Sequence, residues 1–118
     1  MTSRESALLM AQVLDEKKTT NIDIIDIAEK SGFADFFVIG TARNLRQLGS
    51  LADELEDKMA ENGVFADQVE GKSSGWVLID FGDIVVNLFT AEEREHYQIE
   101  RVWNDCIRID FEPAPKED

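Results

Sequence analysis

Three aspartates, one histidine and one cysteine are the side chains with which this sequence could do chemistry. Asp35, Asp80 and Asp83 are carboxylates of the kind that hold Mg²⁺, a hard cation that wants oxygen ligands converging on one point. Asp80 and Asp83 flank Phe81-Gly82, which reads as a two-residue hairpin turn with Gly82 supplying the positive φ. On that register Asp80 faces Asp83, and both carboxylates could point the same way. Aspartate at strand ends is also ordinary turn chemistry, and that reading competes with the metal. His96 is the only histidine, so a histidine-rich metal centre is excluded and a Ser-His-Asp triad would have to use it. Cys106 is the only cysteine, so no intramolecular disulfide forms, and NDCIRI suits a half-buried structural thiol better than a nucleophile. Neither GxGxxG nor GxxxxGK followed by Ser or Thr occurs. The stretch GTARNLRQ, with Arg43 and Arg46, leads into a helix N-terminus that could hold an anion, but with one glycine it reads as a capped helix start. No cofactor and no bound metal are expected.

The elements that must position these groups are legible as patterns. Thr2 with Glu5 fits a capping box, followed by Ala7, Met10, Ala11 and Leu14 at helical spacing, with an end near Lys17-Lys18. Residues 22–27 and 34–40 read as strands. Asn44, with Gln47 at the reciprocal position, starts a helix whose stripe is Leu48, Leu51, Ala52, Leu55 and Met59, and Gly63 stands just past its end. Residues 65–70 read as a weaker strand. Thr90 with Glu93 starts a third helix, YQIERVW continues helically after a break, and IRIDF is a last extended segment. Strands 34–40 and 64–70 flank one helix, which predicts a right-handed crossover between parallel strands. The fold class is therefore α/β or α+β: a mixed β-sheet with flanking helices. One domain over residues 1–111 is expected, with 112–118 a mobile Pro-rich charged tail.

The hairpin GWVLIDFGDIVVNLF sorts itself by alternation. Val77, Ile79, Ile84, Val86 and Leu88 form a dry face. Trp76, Leu78, Asp80, Asp83, Val85, Asn87 and Phe89 form a mixed one. An apolar patch with a polar border suggests a binding surface if open, and a partly buried tryptophan if a C-terminal helix covers it. EEREHYQIERVW reads as an amphipathic helix docking Tyr97, Ile99 and Trp103 on the sheet.

The formal net charge is −13, from 25 acidic and 12 basic residues, which disfavours direct nucleic-acid binding and anionic membranes and favours fast encounter with a basic partner. No apolar run approaches the ~18 residues that span a bilayer. MTSRESALLMAQ has neither the pattern of a secretory signal nor that of a transit peptide, so a cytoplasmic location is expected.

Taken together, EGKSSGWVLIDFGDIVVNLF and EREHYQIERVW resemble the ribosomal silencing factor family, also called Iojap-like. The family pattern has an EG pair, a Trp, an Asp-x-Gly-Asp turn, a Val-rich strand and a Glu-x-Arg-x-x-Tyr helix ending in Trp. Those positions are Glu70-Gly71, Trp76, Asp80 to Asp83, Val85-Val86-Asn87, Glu93-Arg94, Tyr97 and Trp103. Upstream, Ala34 to Ile39 and Ser50 to Asp53 match its strand and helix segments, so the resemblance runs from about residue 8 to 105. Asn87 stands where the family usually has His, and Ala42 and Asn44 where its loop has Gly and Ser. The resemblance implies a nucleotidyltransferase-like fold without the catalytic signature. It implies a non-enzymatic protein that binds the large ribosomal subunit at its basic interface protein, large-subunit protein fourteen. Such binding would block subunit joining and repress translation, and the resemblance also links it to large-subunit maturation. Partner contacts are expected from Glu70, Trp76, Leu78, Asp80, Asp83, Val85 and Asn87, with Lys72 and Tyr97 at the rim, and a homodimer is expected to be possible when free. The alternative is an Mg²⁺-dependent nucleotidyltransferase-like enzyme using Asp35, Asp80 and Asp83.

Overall fold

The computed structural model describes residues 1–71 and 74–111. Lys72 and the expected tail at 112–118 lie outside the described residues. The chain order is α1 (Ser3–Glu16), β1 (Thr20–Asp26), β2 (Phe36–Ala42), α2 (Leu45–Glu61), β3 (Gln68–Glu70), β4 (Trp76–Asp80), β5 (Ile84–Thr90), α3 (Ala91–Tyr97), a 3-10 turn (Ile99–Trp103) and β6 (Ile107–Ile109).

The predicted caps form. Thr2 Oγ1 accepts from the Glu5 N–H at 3.1 Å while Glu5 Oε1 accepts from the Thr2 N–H at 2.9 Å, closing the box. The second of those bonds holds the Glu5 carboxyl below its ordinary value. Asn44 Oδ1 accepts from the Gln47 N–H at 2.8 Å, and the Gln47 side chain reaches back to the Arg43 N–H. Gly63, at φ 79°, ends α2 in the left-handed region where a side chain would be strained.

The sheet has six strands in the order β3-β4-β5-β2-β1-β6. Among the described residues only β2 and β5 pair in parallel; the other ladders are antiparallel. β2 and β3 run in the same direction, as the expected crossover through α2 requires, but β4 and β5 lie between them. The parallel neighbour of β2 is β5, the strand richest in β-branched and large apolar residues, and both strands are buried on both faces as central parallel strands must be. β3 is only three residues long and starts at Gln68 rather than 65, so it takes the edge.

The hairpin register also differs from the expected one. Asp80 pairs with Val85 and Trp76 with Phe89, so the turn residues are Gly82-Asp83 and not Phe81-Gly82. The Phe81 N–H donates to the Ile84 carbonyl at 2.9 Å, closing the turn, and Gly82 keeps the positive φ, 91°, that either turn would use. The pairing shifts by two residues, an even number, so every side chain within the two strands stays on its predicted face, and Asp83 alone leaves it for the turn. Val77, Ile79, Ile84, Val86 and Leu88 join the larger core with the stripes of α1 and α2.

Candidate functional site

The second face of the sheet can be read as rows, because residues paired across ladders share a face. One row is Glu70, Leu78, Asn87, Ile39 and Asp23. The next is Gln68, Asp80, Val85, Phe37, Ile25 and Arg108. The third is Trp76, Phe89, Thr41 and Thr20. The C-terminal segment covers the β2 and β1 end of these rows. Ile99, Trp103 and Cys106 pack against Ile25, Phe37 and Ile39, with Trp103 and Phe37 ring centroids 5.6 Å apart. Burial, then the Asp105 charge, pushes the Cys106 thiol up, which suits a packing role rather than a thiolate one.

A buried arginine fastens that cover. Arg94 donates to Thr41 Oγ1 at 3.0 Å, to Asp23 Oδ2 at 2.7 Å and to the Asn21 carbonyl. The bulge between Thr20 and Asp23, with Asn21 at φ 49°, turns that carbonyl out of the ladder towards Arg94. Arg108 of β6 reaches the other oxygen of Asp23 at 3.0 Å, so one carboxylate ties down both ends of the cover. Glu100 approaches Arg94 at 3.8 Å, with its other oxygen buried and unpaired.

The β3 and β4 end of the rows is less covered by the described residues, with Tyr97 of α3 reaching Trp76. Trp76 and Leu78 are half-buried and Glu70 is exposed. The Trp76 ring stacks on Phe89 at 5.2 Å and 25°, and Tyr97, 47% exposed, lies against the Trp76 ring at 4.7 Å. Trp76 Nε1–H donates to Asn87 Oδ1 at 2.9 Å. Asn87 is 0% exposed and Val85 7%, so both lie behind the surface rather than on it. Asp80 spends one oxygen on its own turn, accepting from the Gly82 N–H at 2.8 Å.

Asp83 corrects the expected face. It sits in the loop, outside the ladder, and its carboxylate is 3.4 Å from Ser3 Oγ at the start of α1, not beside Trp76. Asp35 approaches the same hydroxyl at 3.3 Å, while Asp80 turns to its own loop. The three aspartates therefore do not converge, and among the described residues no group of three or more His, Cys, Asp or Glu is placed to hold a metal ion. His96 is exposed beside Tyr97 and joins no triad.

Sequence reasoning missed Phe33. It is 63% exposed, in the turn before β2, with its ring 6.5 Å from Trp103, so it extends the aromatic surface beyond Phe37. The signal was a large apolar residue following Ser31-Gly32, in a place where turn residues are usually polar. Val102, 69% exposed on the 3-10 turn of the cover, was likewise unassigned.

These features define a class: a small mixed-sheet α/β protein whose second face is only part-covered, aromatic at its centre and acidic at its edge. The chain belongs to the ribosomal silencing factor family, for the family model described as "Ribosomal silencing factor during starvation" matches residues 1–118. It is 33% identical over 113 residues to "Ribosomal silencing factor RsfS" of Halalkalibacterium halodurans, covering 95% of this chain and 97% of that one. It is 27% identical over 99 residues, 80% of this chain and 43% of the relative, to "Mitochondrial assembly of ribosomal large subunit protein 1" of Mus musculus. A crystal structure of a Chromobacterium violaceum protein superposes with a TM-score of 0.85 at 29% identity, covering 97% of this chain and 95% of that one. Among the described residues no helix is long and apolar enough to cross a membrane.

Proposed function

We propose that this protein is a non-enzymatic, cytoplasmic ribosomal silencing factor. It docks the open half of its second sheet face on a basic protein at the interface of the large ribosomal subunit, large-subunit protein fourteen. Bound there it stands in the way of the small subunit and represses translation. The same contact would accompany a maturing large subunit, a reading supported by the likeness to the mouse mitochondrial large-subunit assembly protein. The single observation that carries the proposal is the less covered end of that face, in a chain of this family. Trp76 and Leu78 form an apolar centre stacked on buried Phe89, and Glu70, Gln68 and Asp80 border it. A rigid half-buried aromatic surrounded by polar residues is the usual anatomy of a hot spot. The acidic border and a net charge of −13 favour encounter with a lysine- and arginine-rich surface. Tyr97 belongs to the rim, and exposed Asp83 sits at the loop end where it can meet a cation independently of the Trp76 centre.

Sedimentation with purified ribosomal subunits tests this directly. The chain should travel with large subunits, and Trp76→Ala combined with Glu70→Lys should weaken binding ~30-fold or more, as loss of a hot spot does. The reading is wrong if the wild-type protein stays in the supernatant, or if the double variant pellets as well as wild type.

A further inference from the structure

Asn87 is the one polar side chain among the inward-facing residues of β5, and its neighbours across the ladders are Leu78 and Ile39. It is 0% exposed. The indole N–H of Trp76 is a donor only, so the amide oxygen of Asn87 must be the atom that faces it, at 2.9 Å. That assignment leaves Asn87 Nδ2 buried with no acceptor. A leucine has the same number and branching of side-chain heavy atoms and no donor to orphan, and the half-buried Trp76 can turn its N–H to water, so fold stability alone does not account for an asparagine here. What the asparagine supplies and a leucine cannot is one fixed acceptor under the Trp76 ring. The rest of the ring's surroundings, Phe89 at 5.2 Å and Tyr97 at 4.7 Å, are aromatic contacts that permit sliding.

We infer that Asn87 is a positioning residue: its side-chain oxygen fixes the orientation of the Trp76 indole, so that the docking face is preorganised before a partner arrives. This inference rests on the docking reading above and gives Asn87 a role within it that needs no contact with the partner. An aromatic anchor held in one rotamer has less freedom to lose on binding, so the gain falls on complex lifetime.

The test uses Asn87→Leu in the full chain, with Asn87→Val as a smaller replacement should leucine overpack the site. The unfolding midpoint should equal or exceed that of wild type. The Nε1–H resonance of Trp76, assigned by its disappearance in Trp76→Phe, should exchange with solvent about five- to tenfold faster, the factor expected for one lost hydrogen bond. Affinity for large subunits should fall by about the same factor, through faster dissociation. On a Trp76→Ala background, Asn87→Leu should have no further effect on docking. Unchanged indole exchange would overturn the inference, and so would an equal loss of affinity with and without Trp76. If wild-type protein does not bind subunits at all, the docking reading falls by itself and the indole exchange still decides whether Asn87 holds the ring.

Discussion

The two faces of the sheet are closed by different physics. Over one face lie α1 and α2, helices of 14 and 17 residues, whose stripes bury Ala7, Met10, Ala11 and Leu14 and Leu48, Leu51, Ala52, Leu55 and Met59. Over the other lie a helix of 7 residues and a 3-10 turn of 5, with no fully buried apolar side chain of their own. The first cover is held by area removed from water, which is non-directional and is not screened by salt. The second is fastened by one buried arginine and two partly buried aromatic or aliphatic side chains, which need particular geometry. A face that is closed by area has to be closed throughout. A face fastened at one end can stay open at the other, and that is where Trp76 and Leu78 stand. The difference separates the residues that hold the molecule together from those proposed to dock.

The separation is sharpest in the core. Leu55 is 0% exposed under α2, and Leu55→Ala should cost about 2–5 kcal/mol in urea unfolding, transfer and cavity terms together. Half-buried Leu78→Ala, on the open end of the other face, should cost far less. Equal costs would mean that the second face is closed as firmly as the first. The next largest effect should come from Arg94→Ala. It removes the charged hydrogen bonds to Asp23 and the bonds to Thr41 and the Asn21 carbonyl, an expected loss of about 1.5–3 kcal/mol. Amide exchange should then rise first in α3 and residues 99–103 and leave α1 and α2 protected. Uniform exchange across both covers would show that they form one cooperative unit, contrary to the asymmetry drawn here.

Legibility in the sequence followed the same division. The helix-covered face could be read almost entirely, because its rules are local: Thr2 and Asn44 cap as their spacing indicates, as Thr90 does on the other face, and alternation in GWVLIDFGDIVVNLF sorts the strand side chains whatever the turn. The strand order could not be read, because β2-α2-β3 gives the direction of β3 but not the insertion of β4 and β5 between the two strands. Of the residues proposed to dock, Trp76, Leu78 and Glu70 lie together on the face expected of them, whereas Asp83 leaves it for Ser3, 80 residues away. Asn87 was placed on the correct face, but nothing in the sequence distinguishes an amide under the ring from one beside it. Arg94 stood in a recognisable motif, yet its partners Asn21, Asp23 and Thr41 lie more than fifty residues upstream, and no periodicity links them.

The smallest expected effect concerns an exposed pair that closes the outer edge of the second cover. Lys30, in the turn after β1, bonds Asp105, just before β6, and both side chains are 55% exposed. The hydrogen bond from Lys30, with its charge, holds the Asp105 carboxyl below the ordinary 3.8. The same bond raises Lys30 above 10.5. A carboxyl depressed in the folded state stabilises above its unfolded value, and that stabilisation is lost as pH falls through the folded value. A raised lysine stabilises below its unfolded value and loses the contribution as pH rises through the folded one. The stability gap between wild type and Lys30→Met should therefore be flat at neutral pH, close on acidification below 3.8, and shrink in high salt at every pH. The acid arm is the cleaner one, since burial also pushes the Cys106 thiol above 9.0 and gives both variants their own loss of stability in alkali. Urea midpoints for the two proteins from neutral pH down to about pH 2 measure the gap. A gap that persists at the acid end would mean that Lys30 acts through packing of its stem rather than through Asp105, and the second cover would then be held more by burial and less by polar fastening.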